Sequence, residues 1–495
     1  MEGLPVSDET FATDRPATFR EVFESREFRF VFSSTTLSFV GDHLAKVAVT
    51  ALVFQTTHSV ALSAAAFALS YLPWAAGGPV LATIAERYPF RRVMVTCDVI
   101  QMLLIALIAI PGMPVWAMLV LLFAAALANP PFQAARSAML PQLLEGDRYV
   151  VGLSLHQSTR QVAQITGYAL GGAIAPFYPR LALLLDAATF AVSALLIRYG
   201  VGDRRPIGAP VHHHLGRDTV DGFRVVFGTP VLRAIAVLVF TSMLFAIVPE
   251  GLAAAWAADL AETNADRGWM QALIMAAHPI GFVIGGLIVG RLVAPERRRQ
   301  LIRPFAVLAP LALIPAFLSP PVFGIAVMAA VCGFATAGLI PPTNGLFVQA
   351  LPASYRARAY GVMQGGVQVM QGIAVLATGL LAERFGIPLV VGLWSTAGVL
   401  VVLFAVSRWP SRAAIARAIE TAQAVNGTAE HRPAPPQRAG VPGTNEREHV
   451  GRHRQREASA NTPTNGVASR ALARGREIVG MPPNPADPEH SEASL

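Results

Sequence analysis

Three polar side chains stand close together in an otherwise apolar stretch, FVGDHLAKVAV at residues 39–49. Asp42 and Lys46 are one helical turn apart and share a helix face, whereas His43 points about 100° away from Asp42. Lys46 is also the only lysine of the chain. A carboxylate beside an amine in such a setting can exchange a proton, attract a cationic ligand, or form an ion pair that only neutralises both charges.

A charge at the centre of a bilayer costs about 2.5–3.5 kcal/mol even on insertion scales, so charged groups there normally face a cavity or a partner. Two interpretations of Asp42 and Lys46 follow: they couple conformation to protonation or substrate, or they form an ion pair that permits insertion. Glu250 is the second acidic candidate, because VPEGL places it beside a proline and a glycine that can interrupt a helix. It shares the coupling role, attracts cationic drugs, or only lines the exit. We expect His43 to line the same cavity, where it packs or forms a hydrogen bond.

Two rows of glutamine add a neutral polar surface. Each row has the i, i+4, i+7 spacing that places three side chains on one helix face. The rows are Gln157, Gln161, Gln164 and Gln364, Gln368, Gln371. Such a row either joins helices through hydrogen bonds, worth under about 2 kcal/mol each, or borders the path of a ligand. With Arg160 beside the first row, we expect both rows to line a central cavity.

The elements that carry these residues are predicted to cross a membrane. Of 495 residues 53% are hydrophobic and 14% charged, and residues 100–134 contain no Asp, Glu, Lys or Arg. A membrane-spanning helix needs about 20 apolar residues. Apolar runs broken by charge, Pro and Gly therefore predict an all-α membrane protein with twelve transmembrane helices, near residues 30–55, 60–84, 93–111, 114–134, 150–176, 181–200, 234–258, 269–293, 302–318, 320–346, 357–382 and 387–408.

The arginines predict which ends of these helices face the cytoplasm. They cluster before the first predicted helix, between the second and third, around the central connection, and between the eighth and ninth. The alternate loops QTTHSV, PGMP and LSPP carry no charged residue. Because an excess of Arg and Lys marks the cytoplasmic side, we expect both termini in the cytoplasm.

The predicted membrane region contains an internal repeat. NPPFQAARSAMLP at 129–141 and IPPTNGLFVQALP at 340–352 share a P-P-x9-P pattern at an offset of 211 residues, and the glutamine rows recur at an offset of 207. A duplicated six-helix unit predicts two pseudo-symmetric halves with a binding site between them. The expected segments are a cytoplasmic N-terminal segment (1–26), an N-terminal half (27–200), a cytoplasmic central loop (201–229), a C-terminal half (230–408) and a disordered cytoplasmic tail (409–495).

The most specific motif is GPVLATIAERYPFRRV at 78–93, between the second and third predicted helices. Together with the order of the other motifs along 27–408, it resembles the major facilitator superfamily, particularly its bacterial drug and macrolide efflux branch. The loop signature of that branch typically reads G-P-x5-A-D-R-x3-R-R, and Glu86 stands here in place of its aspartate. GYALGG at 167–172 is similar to the G-P-x-x-G-G end of the family's antiporter signature, with Tyr168 in place of proline.

The resemblance implies a charge network that forms a cytoplasmic gate. Its expected members are Gly78, Glu86, Arg87, Arg91, Arg92, Asp98 and Arg136. In the resembling family such a network holds one conformation and breaks when the opposite one forms.

Other chemistries have little support in the sequence. The chain shows no P-loop, no H-E-x-x-H and no G-x-S-x-G, so we expect no enzyme activity, no cofactor and an ion gradient as the energy source. His212, His213 and His214 are interpreted as loop residues, so no metal site is expected. The net charge of +8 comes with arginines beside apolar runs, which favours membrane orientation over nucleic-acid binding.

The sequence thus predicts a multi-pass transporter of the bacterial inner membrane that exports amphipathic, drug-like small molecules by proton antiport and alternating access. Its expected partners are a small-molecule substrate, protons and the lipid bilayer, and we expect a monomer. Two alternatives stay open: a dedicated exporter of one metabolite such as a siderophore, and a non-transporting membrane sensor or scaffold that acts through the tail.

Overall fold

The computed structural model describes residues 18–74, 87–204, 215–352 and 355–430. The helices, in chain order, are α1 (Phe19–Glu24), α2 (Arg26–Thr57), α3 (Val60–Ala68), α4 (Phe90–Ile108), α5 (Val115–Ala126), α6 (Asn129–Leu143), α7 (Asp147–Ile174), α8 (Pro179–Gly200), α9 (Leu215–Gly228), α10 (Pro230–Ala246), α11 (Val248–Leu260), α12 (Asn264–Leu292), α13 (Pro295–Leu311), α14 (Val322–Gln349), α15 (Arg356–Phe385), α16 (Ile387–Ser407) and α17 (Arg412–Glu430). A short 3₁₀-helix, Ile314–Leu318, follows α13.

Nine helices or helix pairs among the described residues are long and apolar enough to cross a membrane. The three other predicted spans coincide with α3, α4 and α7. Residues 75–86, the second part of the predicted span that begins with α3, lie outside the described residues. The mean hydropathy of α7 is reduced by the charged residues of its first turn, by Arg160 and by the glutamines. Length and composition alone therefore do not identify α7 as a membrane span.

Local sequence explains where several helices begin and break. Ser25 and Ser59 cap α2 and α3, since their side chains accept hydrogen bonds from Phe28 N and Leu62 N. The predicted seventh span is divided at Ile247 into α10 and α11, because Pro249 in the first turn of α11 has no N–H to continue the ladder. This division places Glu250 at the start of a helix in the middle of the span.

Two groups of helices pack closely. In the first, α2 lies against α7 and α8, and α8 also packs on α4. In the second, α14 lies between α12 and α13, and α11 packs on α12. Glycines permit the closest approaches: a Cβ at Gly41 of α2 would overlap Asp186 and Thr189 of α8, and one at Gly281 of α12 would overlap the backbone of Ala330. We call residues 27–200, which contain the first group, the N-terminal half, and residues 230–408, which contain the second group, the C-terminal half.

One end of the bundle, which we call the arginine-rich face, collects the loops with clustered arginines. Phe90 N donates to Arg204 O at 3.1 Å, and Arg204 pairs with Glu27, so the start of α4, the end of α8 and the start of α2 meet there. In the C-terminal half, Arg299 donates to Gln349 at 3.1 Å, which joins the start of α13 to the end of α14.

The two halves meet toward the other end, which we call the opposite face. There α7 packs on α12, and a Cβ at Gly172 would overlap Gly268 O and Ala272. The start of α3 packs on the end of α15, where the Glu383 carboxylate accepts hydrogen bonds from Ser59 Oγ at 3.2 Å and Ala61 N at 2.8 Å. Glu383 therefore caps a helix of the other half.

Candidate functional site

A cavity of about 700 Å³ lies between the two halves. The N-terminal half contributes Asp42, His43 and Lys46 from α2, and the C-terminal half contributes Glu250 from α11. All six residues of the two glutamine rows line it, as does Arg160. The lining extends to Tyr360, about one turn from the start of α15, so the cavity reaches from Glu250 toward the arginine-rich face.

Glu250 is the buried centre of a hydrogen-bonded chain that joins the halves. Its side chain is 2% exposed. Tyr168 of α7 donates from its hydroxyl to Glu250 Oε2 at 2.9 Å, and Gln164 donates to that hydroxyl at 3.3 Å. His278 Nδ1 of α12 lies 3.4 Å from Glu250 Oε1. A single carboxyl group is therefore held by one side chain of each half.

The far side of His278 indicates which of its nitrogens carries a proton. Thr336 Oγ1 donates to Gly333 O at 2.8 Å and also lies 3.3 Å from His278 Nε2. Because the hydroxyl proton is used on the carbonyl, Nε2 must donate to Oγ1. The Nδ1 atom then faces Glu250 Oε1 across 3.4 Å.

Lys46 contacts two aromatic rings, which the sequence did not predict. Among the described residues it makes no ion pair with Asp42. Its Nζ lies 5.0 Å from the ring centroid of Tyr71 and 5.8 Å from that of Phe67, so two aromatic faces hold the ammonium group. The roles predicted for Asp42 and Lys46, coupling or mutual neutralisation, both stay predictions.

His43 and Arg160 also contact aromatic rings. His43 Nδ1 lies 2.7 Å from Phe39 O, so this nitrogen carries the proton and donates, and the ring meets Tyr168 edge-on at 5.2 Å. The packing and hydrogen-bonding interpretation of His43 describes this arrangement. The Arg160 guanidinium lies 5.1 Å from the ring centroid of Phe39.

The residues of the predicted cytoplasmic gate form separate contacts. Arg91 and Arg92 lie 3.5 and 3.8 Å from Asp203, Arg136 contacts His156, and Asp98 accepts a 2.6 Å hydrogen bond from Ser193. The described residues therefore do not join Asp98, Arg136 and Arg91 into one network. Arg87 begins the described segment after the gap, whereas Gly78 and Glu86 lie outside the described residues.

Sequence reasoning missed His278, Tyr71 and the role of Tyr168. A histidine in an apolar run, as in MAAHPIG, is the same kind of signal that singled out Asp42. Tyr168 was noted only as a departure from a motif. Asp186, to which the sequence assigns no partner, lines the cavity at 1% exposure and accepts a 3.4 Å hydrogen bond from Thr189.

The described residues contain no cluster of His, Cys, Asp or Glu that fits a metal ion. The three histidines at 212–214 lie outside them. The cavity is lined by amides, carboxylates and cations together with aromatic and aliphatic side chains, a combination that suits reversible binding of an organic molecule.

Comparisons with known proteins agree with this architecture. Macrolide efflux protein A of Streptococcus pyogenes is 21% identical over 373 residues, covering 73% of this chain and 90% of that protein. Multidrug efflux pump Tap of Mycolicibacterium fortuitum is 25% identical over 317 residues, covering 60% of this chain and 75% of that pump.

Solved transporter structures share the fold. The nucleoside transporter NupG superposes with a TM-score of 0.60 at 13% identity and covers 78% of this chain and 100% of its own. A bacterial homologue of the human lysosomal transporter Spinster, in an inward-facing and occupied conformation, gives a TM-score of 0.60 at 14% identity, covering 83% and 99%.

The family profile described as Major Facilitator Superfamily matches residues 31–318 and 242–449. These matches include every residue of the cavity described above. The chain is a multi-pass membrane transporter, not an enzyme, and it belongs to the major facilitator superfamily.

Proposed function

We propose that this protein exports amphipathic, drug-like small molecules across the bacterial inner membrane in exchange for protons. The observation that carries the proposal is the hydrogen bond from Tyr168 to the cavity-lining Glu250, which joins the two halves. The named activities of its relatives, macrolide efflux and multidrug efflux, support the direction and the class of cargo.

The proton enters the mechanism through the carboxylate. When ionised, Glu250 accepts the bond from Tyr168 of the other half, and this contact stabilises the closure of the opposite face. When Glu250 binds a proton, the bond from Tyr168 weakens and the halves can separate there. Protonation of one buried group thereby shifts the equilibrium between two conformations, which is the requirement for coupling.

Asp42 and Lys46 complete the proposed coupling site. Both line the same cavity as Glu250, and no described side chain forms an ion pair with either of them. Lys46 rests on Tyr71 and Phe67, so its ammonium group can leave the rings when charge at Asp42 or Glu250 changes. We assign these three residues to proton or substrate coupling and the glutamine rows to the transport path.

Alternating access would occur by rocking of residues 27–200 against residues 230–408. We propose twelve transmembrane helices, a cytoplasmic arginine-rich face and cytoplasmic termini, since arginine excess marks that side. The cavity would then face the cytoplasm in the present conformation, from which an exporter loads its cargo. We further propose that the transporter acts as a monomer.

Respiring everted vesicles test the proposal. We expect a macrolide or another amphipathic drug from a panel to dissipate part of the pH gradient. Glu250→Gln should abolish this response while the protein still inserts, and Glu262→Gln, an exposed residue between α11 and α12, should respond like the parent. Drug export without any change in the gradient would reject proton antiport, and no response to any drug would reject the proposed cargo class.

A further inference from the structure

Ten side-chain carboxamides line the cavity: the six glutamines of the two rows together with Gln101, Asn129, Gln133 and Asn344. This number is unusual, because binding cavities for small molecules are mostly apolar and hold only a few polar groups. Gln133 and Asn344 are 211 residues apart and occupy corresponding positions of the internal repeat. The amide surface is therefore built from both halves.

Nearly all of these amides are available to a ligand. Gln164 bonds to the Tyr168 hydroxyl, and the other nine make no hydrogen bond to any side chain or backbone group in the described part of the chain. Each carboxamide offers two N–H donors and a carbonyl acceptor. A ligand that leaves such groups unpaired while it displaces water loses affinity, so the cavity favours a molecule rich in both donors and acceptors.

Most charged side chains of the cavity already contact another side chain of the protein. Glu250 is held by Tyr168 and His278, Lys46 lies over two aromatic rings, and Arg160 lies over Phe39. A cationic ligand would compete with Lys46 and Arg160 for the same ring faces. Two acidic side chains of the cavity, Asp42 and Asp186, have no ion-pair partner among the described residues; the proposed function assigns Asp42 to coupling, and Asp186 accepts a hydrogen bond from Thr189. The other free polar groups are neutral amides.

Aromatic residues that hold no cation stand beside the amides. Trp74 and Tyr360 also line the cavity, and no described cation lies over their rings. Amides that bond hydroxyl groups, next to aromatic rings that can pack on C–H surfaces, are the combination that suits a sugar ring.

We propose that the cavity recognises an amphiphile through a polyhydroxylated group, so that the preferred substrates are glycosides and not hydrophobic cations. This inference rests on the proposed function for its transport step, and it names the substrate class of the same site. The sugar hydroxyls bond to the carboxamides of the two halves, and the apolar part of the molecule occupies the remaining volume.

Binding to the full chain in nanodiscs tests the inference. The probes are methylumbelliferyl maltoside, its aglycone methylumbelliferone, and tetraphenylphosphonium as a hydrophobic cation, measured by isothermal titration calorimetry. We expect the maltoside to bind at least about tenfold more tightly than either other probe, because only the maltoside pairs the amides.

Variants separate a specific role of the amides from a general effect. Gln161→Leu combined with Gln368→Leu should weaken maltoside binding about tenfold and leave the aglycone unchanged. Gln161→Asn keeps the amide on a side chain shorter by one methylene. It should weaken maltoside binding less than the leucine double variant does. Gln423→Leu, at an exposed position of α17, is the control and should bind like the parent.

Three results would each overturn the inference. The maltoside and the aglycone bind with equal affinity, tetraphenylphosphonium binds more tightly than the maltoside, or the leucine variants bind the maltoside like the parent. Its failure is distinguishable from failure of the proposed function. If tetraphenylphosphonium is exported with proton flux and the maltoside is not bound, only the glycoside inference fails. If the maltoside binds as expected and moves without proton flux, only the proton coupling fails.

Discussion

The Tyr168→Phe variant examines the contact on which the proposed coupling depends. It removes one oxygen atom, the donor of the 2.9 Å bond to Glu250, and keeps the ring that meets His43 at 5.2 Å. Tyr168 and Glu250 are both buried, so water does not freely replace the lost donor. The variant should therefore weaken the closure between the halves without a large cavity or a change of charge.

The magnitude follows from the type of bond. A buried hydrogen bond to a charged group contributes about 1.5–3 kcal/mol. Since about 1.4 kcal/mol corresponds to a tenfold change in an equilibrium constant, the ratio of closed to open conformations should fall by about 10- to 150-fold. A shift of this size converts a dominant conformation into a mixture or a minor one.

Distances between spin labels measure this shift. Cysteines at Tyr178 and Phe323 place one label on each half at the opposite face, where the two native side chains are 66% and 67% exposed. The native Cys97 and Cys332 are buried and stay unlabelled. Tyr168→Phe should add a longer distance population, whereas a pair at Trp116 and Tyr178, within one half, should not change. An unaltered distribution at the first pair, with unaltered transport, would refute the reasoning.

Three further variants test separate contacts. Lys46→Arg should insert normally and lower coupled transport at least about tenfold, because a guanidinium group is larger and does not release its proton; parental transport in everted vesicles would contradict this. Gly172→Ala should lower the thermal unfolding midpoint, since its Cβ overlaps α12 at a cost of about 1–3 kcal/mol, and Gly286→Ala, with open space around it, should not. Glu383→Ala leaves the Ser59 cap of α3 in place but removes the two hydrogen bonds that Glu383 accepts from Ser59 and Ala61, worth about 0.5–2 kcal/mol, and should lengthen the label distance across the opposite face; no change would show that these bonds do not hold the halves together.

Hydrophobic patterning was sufficient to predict helices and the position of the main break. Apolar runs with charged borders indicate α2, α14 and α16 because burial in lipid demands such runs. VPEGL indicates the division between α10 and α11, since proline cannot continue the backbone ladder. The apolar runs also predicted a span at 150–176, which coincides with α7, although polar residues that face the cavity lower the mean hydropathy of this helix.

Partners of the site residues were harder to predict. The spacing of Asp42 and Lys46 fixes a shared helix face, but it does not exclude that Lys46 turns toward Tyr71 on a neighbouring element. Tyr168 and Glu250 are 82 residues apart and belong to different halves. Their contact depends on how the halves pack, which no local period encodes.

The expected gate illustrates the same limit. A family pattern suggested one network, whereas Arg91 turns to Asp203 and Asp98 turns to Ser193. Both partners lie in or just after α8, so the packing of this helix on α4 decides which groups meet. The spacing of a motif along the loop before α4 carries no information about how α8 packs.

Proton flux during transport by the purified protein is the most direct test of the central claim. In proteoliposomes that contain a pH-sensitive dye, an exported substrate should move protons in the opposite direction, and Glu250→Gln should abolish that movement. Substrate transport by the parent without proton movement, or proton-coupled transport by Glu250→Gln equal to that of the parent, would contradict the account.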